Sequence, residues 1–554
     1  MRIFTGTILC ISMCLSSHLY SQTTYLPEGS KGYELLNRLE IKQDKNSNLN
    51  FSTLKPFSNK AAVEAAEKAD SLYKMGELNL SPVDLHNIHS LLMDNSEWVT
   101  GDKSSFESKH PLWNTFYPTK ANLIEVDQKD FFLAVNPVFD FQIGNGSGES
   151  QSLFYNRRGV TLRGRIANKI GFSTTITDNQ ERGPQFFKDY VTSHRGVPGV
   201  GFYKPFKKTA YDYFDGRGYF TFGVTKYIDV QFGYDKNFIG DGYRSLFLSD
   251  FGDSYLFLKL NTKIWKLNYQ NLFMELMPDF TKKGDVLLDR KYAAMHHLSI
   301  NVTRWLNLGL FESVIFGRKN RFDFEYLNPI IFLRHIEGTV GSPDNAFAGF
   351  DFKINTMKRF QFYGQLLLDE FLLNEIFKNN GFWANKYGYQ LGVKYIDAFN
   401  IKNLDLQFES NRVRPFTYTH SDSVSNYDHY NLPLAHPLGA NFQEFTGIFR
   451  YQPLPRLRID GRAIYYYKGL DTLGQNFGGT ISELYTTRSA NFGYFVGSGR
   501  KVKVLNASAT LGYELKENLF IEGNVLFRKE TDQPNATYFN IGIRLNTARR
   551  DYNY

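Results

Sequence analysis

The chain has 554 residues and a net charge of +8 that is spread along its length, without the clustered basic stripe of a nucleic-acid-binding protein, so nucleic acid is excluded as a partner. Aromatic residues make up 16% of the chain, but only 42% is hydrophobic and the mean hydropathy is −0.38, so the rings are dispersed among polar residues. This mixture is typical of a transmembrane β-barrel, whose strands alternate between lipid-facing and lumen-facing residues. A soluble β-sandwich or propeller is the alternative.

Residues 1–21 have the pattern of a secretory signal peptide: an early arginine, an apolar run over 3–15, and an expected cleavage after Ser21. Both cysteines, Cys10 and Cys14, lie in this segment, so the exported chain would have no disulfide, catalytic thiol or Cys-bound metal. After residue 22 the sequence has no run of 18 apolar residues, so no membrane-spanning helix is predicted. A membrane-spanning chain of this kind must therefore be a closed barrel.

Residues 22–130 are predicted to form a small helical segment. Good helix formers dominate 58–78, and a weaker helical pattern covers 31–41. A further helix is predicted to begin at Ser81, an N-cap residue followed by Pro82 in the first turn. We interpret this segment as a periplasmic cap or plug without chemistry of its own.

Residues 131–554 are predicted to form an antiparallel barrel of about eighteen strands. Apolar residues recur at every second position, for example over 228–235, 457–465, 519–527 and 538–545. The breaks between these runs alternate between short turns and long segments, as short periplasmic turns and long external loops do in outer-membrane barrels. A sandwich would not need this alternation, and the even strand number places both chain ends on the periplasmic side.

No enzyme signature is found, so we predict no catalytic residue, no metal and no cofactor. The motifs H-E-x-x-H and G-x-S-x-G are both missing from the sequence. His296 and His297 are adjacent on a predicted strand and therefore point to opposite faces, so they cannot chelate one ion together. We expect one of them in the lumen and one at the lipid interface.

Two long connections carry side chains suited to a glycan. Aromatic rings stack on sugar faces, while carboxylates, amides and guanidinium groups bond to hydroxyls. The candidate ligand-binding residues in these external loops are Asn237, Asp241, Tyr243, Arg244, Arg334, Glu337, Asp344 and Asn345. The alternative is that these loops pack on each other and plug the mouth, with Arg334 and Glu337 forming a plain salt bridge.

The stretches NRRGVTLRGRI at 156–166 and DNQERGPQF at 178–186, together with the two connections, resemble the Wzi-type capsule-assembly family of outer-membrane proteins, and within it the RemB-like gliding-motility branch. The likeness extends from about Phe131 to the last residue. It implies an eighteen-stranded barrel with a small helical N-terminal segment. It also implies a lectin-like, non-catalytic role in holding or assembling polysaccharide at the cell surface, and for the RemB-like branch a part in gliding.

The predicted function is therefore an outer-membrane barrel that binds or helps assemble capsular polysaccharide and takes part in gliding. The expected partners are the outer membrane with its lipopolysaccharide, the surface polysaccharide and the gliding machinery. A passive porin is the first alternative, because eighteen strands can enclose an aqueous pore. An outer-membrane hydrolase is the second, although no nucleophile and base are found on one wall.

Overall fold

The computed structural model describes residues 23–44, 51–113, 115–278, 287–329, 332–341, 344–472 and 474–554. The predicted signal peptide and its two cysteines lie outside these ranges. None of the helices within the ranges is long and apolar enough to cross a membrane.

Eighteen antiparallel strands, β1 to β18, form a closed barrel in the described chain. They are Phe131–Gly146, Leu153–Ile166, Ile170–Arg182, Ala210–Gly223, Ile228–Asp235, Tyr255–Ile264, Leu267–Leu276, Lys291–Asn301, Leu306–Phe316, Asn345–Thr356, Phe360–Glu370, Lys386–Tyr395, Leu404–Val413, Phe442–Leu454, Leu457–Leu470, Arg500–Lys516, Leu519–Glu530 and Ala536–Leu545. Each strand pairs with the next, and β18 pairs with β1 from Tyr538–Gly146 to Leu545–Phe139, which closes the ring. The predicted barrel and its strand number are confirmed.

Six α-helices, α1 to α6, and several shorter elements complete the described structure. The α-helices are Gly32–Gln43, Asn59–Lys74, Pro82–Asp94, Gln185–His194, Leu333–Thr339 and Leu373–Lys378. The 3₁₀ turns are Ser96–Trp98, Ser104–Phe106, Phe324–Leu327, Ala398–Asn400, Ser423–Ser425 and Tyr485–Thr487. Two short strands, Ile124–Gln128 and Lys204–Phe206, pair with β1 and β4 of the barrel sheet. The other short strands are Leu54–Lys55, Phe238–Ile239, Asp428–His429 and Leu432–Pro433.

The outward face of the barrel is apolar, as the two-residue period predicts. Phe232, Leu310 and Ile541 point outward and are 49%, 57% and 59% exposed. The neighbours that point inward are polar or small, such as Gln231 on β5. Apolar side chains on the outside and polar ones on the inside match a barrel that sits in lipid.

Connections at one end of the barrel are short, and those at the other end are long. At the short end Asn168 and Asn518 adopt positive φ angles of 52° and 58°, which suit tight hairpin turns. The long end carries segments such as 183–209, 236–254 and 414–441. The predicted alternation is confirmed, and by the general design of such barrels the long connections face outside the cell.

The first three helices cover the short-turn end of the barrel. Predicted helix α3 is confirmed, and Ser81 and Asp84 cap its start reciprocally. Buried Arg38 of α1 reaches Asp397 in the turn between β12 and β13, with 2.9 Å between Nη2 and the carboxylate. Lys31, at the start of the same helix, pairs at 2.5 Å with Glu514 of β16. Charged contacts with several barrel strands therefore hold the helical segment in place.

Half of the lumen is filled by an apolar core. The connection 236–254 folds inward, and its residues Leu246, Phe247 and Leu248 are fully buried. They pack against inward-pointing residues of β6 to β11 and of β13 to β16, and against the connection 414–441. The hydroxyls of Tyr418 and Tyr427 in that connection donate to the backbone oxygens of Leu246 and Phe247 at 2.8 and 2.6 Å. We call this region the packed half of the lumen.

The connection between β9 and β10 instead lies against the outer wall. Its helix α5 packs on outward-pointing residues of β7 to β10. This connection covers His296, which bonds to Glu312 at 2.8 Å, while His297 points into the lumen and bonds to Asp351 at 2.7 Å. The expected opposite orientation of the two histidines is confirmed, but His296 is only 2% exposed and is shielded from lipid by the loop.

Candidate functional site

A cavity of about 600 Å³ lies in the rest of the lumen, lined by residues of β1 to β5 and of β13 and β14. Three segments enclose it: the N-terminal residues 25–41, the inward-folded connection 236–254, and residues 546–554, which run from the end of β18 back into the barrel. Its lining combines charged and aromatic side chains, among them Tyr25, Glu28, Tyr155, Arg157, Tyr213, Asp215, Arg217, Tyr243, Arg550, Asp551 and Tyr554. We call it the luminal cavity.

The N-terminal wall of the luminal cavity is tied to strand β4. The backbone N–H of Tyr25 donates to the Tyr219 hydroxyl at 2.9 Å, and Arg217 pairs with Glu28 at 2.6 Å. Burial inside the lumen would raise the pKa of Glu28, but Arg217 and Lys236 outweigh it and hold that pKa at about 2. Glu28 is therefore ionised at neutral pH, and its side chain keeps 44% exposure to the cavity.

Residues 546–554 form the second wall. The Arg550 guanidinium and the Tyr552 hydroxyl both donate to Glu181, at 2.9 and 2.6 Å. Asp551 lies 3.2 Å from Arg462, and this neighbour together with Arg549 lowers the pKa of Asp551 against the opposing effect of burial. This segment reaches the long-connection side, where Tyr554 packs against helix α4.

The third wall carries the first group of predicted ligand residues. Asn237, Asp241, Tyr243 and Arg244 all line the luminal cavity. The N–H of Gly240 donates to the backbone oxygen of Thr53 at 2.8 Å, and Asp241 accepts from the Thr53 hydroxyl at 2.9 Å. The loop is thus bonded to the N-terminal segment deep in the barrel rather than standing at the outer mouth.

Arg244 is held mainly by other protein groups. Its backbone N–H and that of Tyr243 donate to the Glu409 carboxylate at 3.1 and 2.7 Å. Its guanidinium pairs with Glu444 at 3.3 Å and also donates to the backbone oxygen of Asn553. Arg244 therefore links the loop, the barrel wall and the segment 546–554.

The second group of predicted ligand residues lies elsewhere. Arg334 and Glu337 form a 3.1 Å ion pair on helix α5, and Asp344 pairs with Arg318 at 2.6 Å, all on the outer-wall connection. Asn345 points inward and donates to the Ser425 backbone oxygen at 2.9 Å. The structure does not bring the eight residues together in one site, and only Arg334, with 68% side-chain exposure, is open to solvent among these four.

Sequence reasoning missed an aromatic cluster at the long-connection end, which we call the mouth cluster: Phe382, Trp383, Tyr485, Arg488 and Phe492. The Arg488 guanidinium lies 3.7 Å from the centre of the Trp383 ring. The centre of the Tyr485 ring lies 4.7 Å from the centre of the same Trp383 ring. Phe492 is 52% exposed and lies 5.5 Å from Phe382. The available signal was Trp383, one of five tryptophans, inside a long connection.

The mouth cluster joins two connections. The backbone N–H of Trp383, before β12, donates to the oxygen of Asn491, before β16, at 3.0 Å. Arg488 also donates to the Asn491 side chain at 3.1 Å. Exposed rings next to a guanidinium and an amide offer both a stacking face and hydrogen-bond donors. Within the described residues, no group of three or more His, Cys, Asp or Glu is placed to hold a metal ion.

Comparison with one solved structure supports the fold. The outer-membrane protein Wzi of Escherichia coli, described as a carbohydrate-binding β-barrel involved in group 1 capsule assembly, superposes with a TM-score of 0.55 at 12% identity, over 96% of this chain and 100% of that one. The superposition with OprD of Pseudomonas aeruginosa covers 74% of this chain and 94% of the OprD chain, at 10% identity and with a TM-score of 0.42.

Comparison of sequences identifies the family. No curated protein sequence matches this chain. The family described as capsule assembly protein Wzi matches residues 216–519, more than half of the chain, from strand β4 to the start of β17. The matched region contains the inward-folded connection 236–254 and the whole packed half of the lumen. The chain therefore belongs to the Wzi family of capsule assembly proteins.

Proposed function

We propose that this outer-membrane barrel binds polysaccharide at the cell surface and helps to hold the capsule there, without catalysing a reaction. The observation that carries the proposal is the occupied lumen of a barrel from a capsule-assembly family. Three segments bonded to each other fill or cross the space that a porin would leave open. The carbohydrate binding described for the Escherichia coli protein of the same fold supports the same function.

The mouth cluster is the surface that suits such a polymer. Capsular polysaccharide lies outside the cell, and this cluster lies at the long-connection end with Phe492 exposed and its other members half-buried. The face of Phe492 and the Arg488–Trp383 stack would take sugar rings, while the side chains of Arg488 and Asn491 would bond to their hydroxyls. The luminal cavity lies inside the barrel, between the N-terminal residues, the connection 236–254 and residues 546–554.

The test is surface retention of polysaccharide in cells that lack the gene. We expect the deletion to increase shedding into the medium and the intact gene to restore retention. A variant with Trp383→Ala, Arg488→Ala and Phe492→Ala should reach the membrane but fail to restore it. Arg334→Ala, which removes an exposed arginine on the outer wall, is the matched control and should restore retention fully.

Two outcomes would contradict the proposal. Unchanged retention in the deletion strain would show that the protein does not hold the capsule. Full rescue by the triple variant would show that the mouth cluster is not the binding site. Arg244 is unsuitable for this test because it is buried, so its replacement leaves Glu444 short of a partner and disturbs the barrel itself.

A part in gliding motility is a second, finer proposal, supported by the likeness of residues 156–166 and 178–186 to the RemB-like branch. Spreading of the deletion strain on a solid surface tests it. Normal spreading combined with increased polysaccharide shedding would keep the capsule role and remove the gliding role.

A further inference from the structure

Three lysines lie together on the outward face of the barrel at its long-connection end. Lys501 and Lys503 belong to β16 and Lys529 to β17. Strand alternation fixes their direction, since Leu511 and Ile521 on the same faces are 55% and 41% exposed. The three lysine side chains therefore point outward from the barrel wall and not into the lumen. We call them the lysine patch.

The register brings the three side chains close to one another. Lys501 and Lys503 are two residues apart on one strand, which separates their Cα atoms by about 7 Å. Leu505 pairs with Lys529 across β16 and β17, so Lys503 and Lys529 are diagonal neighbours at about 7–8 Å. Flexible side chains at this spacing can converge on one anionic group.

The positive charges of the patch are not neutralised by the protein. Throughout the described ranges, no carboxylate oxygen lies within 4.0 Å of the amines of Lys501, Lys503 or Lys529. By contrast, Arg158 on the outward face of β2 is paired with Asp178 at 2.7 Å. Three cations without a carboxylate partner, close together on the outward face, favour binding of an external anion.

The aromatic residue beside the patch indicates its depth in the membrane. Tyr467 of β15 pairs with Lys503, and the Lys501 amine lies 4.1 Å from the centre of its ring. Aromatic rings on barrel walls mark the boundary between hydrocarbon and headgroups. Lysine stems can follow the wall while their amines reach that boundary.

We propose that the lysine patch binds the phosphate groups of a phosphorylated glycolipid, the lipopolysaccharide class, in the outer leaflet. The long connections place the patch on the external side, and its three charges complement phosphorylated headgroups at that level. This site is on the outer wall, separate from the mouth cluster and the lumen, and does not depend on the proposed polysaccharide function. Bound lipid would anchor strands β15 to β17.

Binding of diphosphorylated lipid A to the full chain in detergent, followed by native mass spectrometry, tests the proposal. The test variant is Lys501→Gln, Lys503→Gln and Lys529→Gln. The matched control is Lys266→Gln, Lys358→Gln and Lys402→Gln, which removes three exposed lysines at the short-turn end. Lys266 also lies over an exposed aromatic ring, 5.5 Å from the centre of Trp265.

We expect at least tenfold weaker lipid A binding by the test variant and less than a twofold change in the control. The unmodified chain should bind dephosphorylated lipid A as weakly as the test variant binds the phosphorylated form. Equal binding by both variants, or no effect of dephosphorylation, would overturn the proposal. Binding of inorganic pyrophosphate as tight as that of lipid A would overturn the lipid assignment and show a simple anion site instead. The dephosphorylation arm uses the unmodified chain and so stands even if a variant folds poorly.

Discussion

The two halves of the lumen differ in how their space is used. In the packed half, two inward-folded connections bury Leu246, Phe247 and Leu248 in a continuous apolar core that extends over β6 to β11 and β13 to β16. In the other half, beside β1 to β5 and β13 and β14, the N-terminal segment and residues 546–554 border a cavity lined by tyrosines and charged pairs. One half is closed by packing and the other by a network of hydrogen bonds and ion pairs.

This difference shows how a barrel of eighteen strands can be closed without a separate plug domain filling it. Apolar packing fixes the connection 236–254, and that connection in turn presents Asp241 and Arg244 to the other two segments. The packed half should therefore contribute most to stability, while the cavity half should respond to charge and to small changes in fit.

The largest expected loss of stability follows from truncation in the packed half. Phe247 is fully buried and stacks on Phe311 with 4.4 Å between ring centres. Phe247→Ala should lower the free energy of unfolding by about 3–5 kcal/mol, measured by denaturant titration in detergent. Phe251→Ala, which removes a half-buried ring beside the luminal cavity, is the control and should cost less. Equal losses would contradict the distinction between the halves.

An intermediate effect is expected from acid at the contact between α1 and the barrel. Burial would raise the pKa of Asp397, but Arg38 and Lys42 lower it to about 2. A carboxylate with a depressed pKa stabilises the fold above its unfolded pKa of 3.8, and this contribution, about 2 kcal/mol, is lost as the pH falls from about 4 to 2.

Limited proteolysis of the N-terminal helices, by pepsin in acid and by trypsin at neutral pH, measures this effect. Cleavage should rise over that interval in the unmodified chain. Asp397→Asn should release the helices in part at neutral pH and show a smaller further change in acid. A pH profile that is identical in the two proteins would show that Asp397 does not hold the helical segment.

The smallest effect is expected where two lumen segments cross. Gly29 has a φ of +71°, and a Cβ atom added there would lie 2.2 Å from the Cβ of Ala548. Gly29→Ala should cost about 1–2 kcal/mol, because the overlap adds to the backbone strain and is relieved only if the two segments move apart. Gly76→Ala is the control, because Gly76 has a similar φ of +76° but no atom within 4 Å of an added Cβ. Its loss of stability therefore measures the backbone strain without the clash. Equal losses in thermal unfolding would show that the crossing is loose.

The barrel could be predicted because its signals are local. Each segment of the sequence shows the two-residue alternation of a strand and ends at a short turn or a long connection. Counting the strands between these breaks gives eighteen. Helix α3 was equally accessible, since Ser81, Pro82 and Asp84 form a start signal within four residues.

The direction of the long connections could not be predicted, because it depends on contacts between distant residues. Loop 236–254 turns inward to meet Thr53 and Glu409, whereas loop 317–344 turns outward over His296. Both are long and rich in aromatic and charged residues, so composition does not separate them. For that reason the eight predicted ligand residues are divided between the cavity, the barrel interior and the outer wall.

The measurement that tests the closed lumen most directly is ion conductance across planar bilayers. The intact chain should remain silent, because three segments bonded to each other occupy the lumen. A chain without residues 23–123 should conduct through the cavity half, with its folding confirmed by heat-modifiable gel mobility. Steady conductance by the intact chain would contradict the account and would favour a porin.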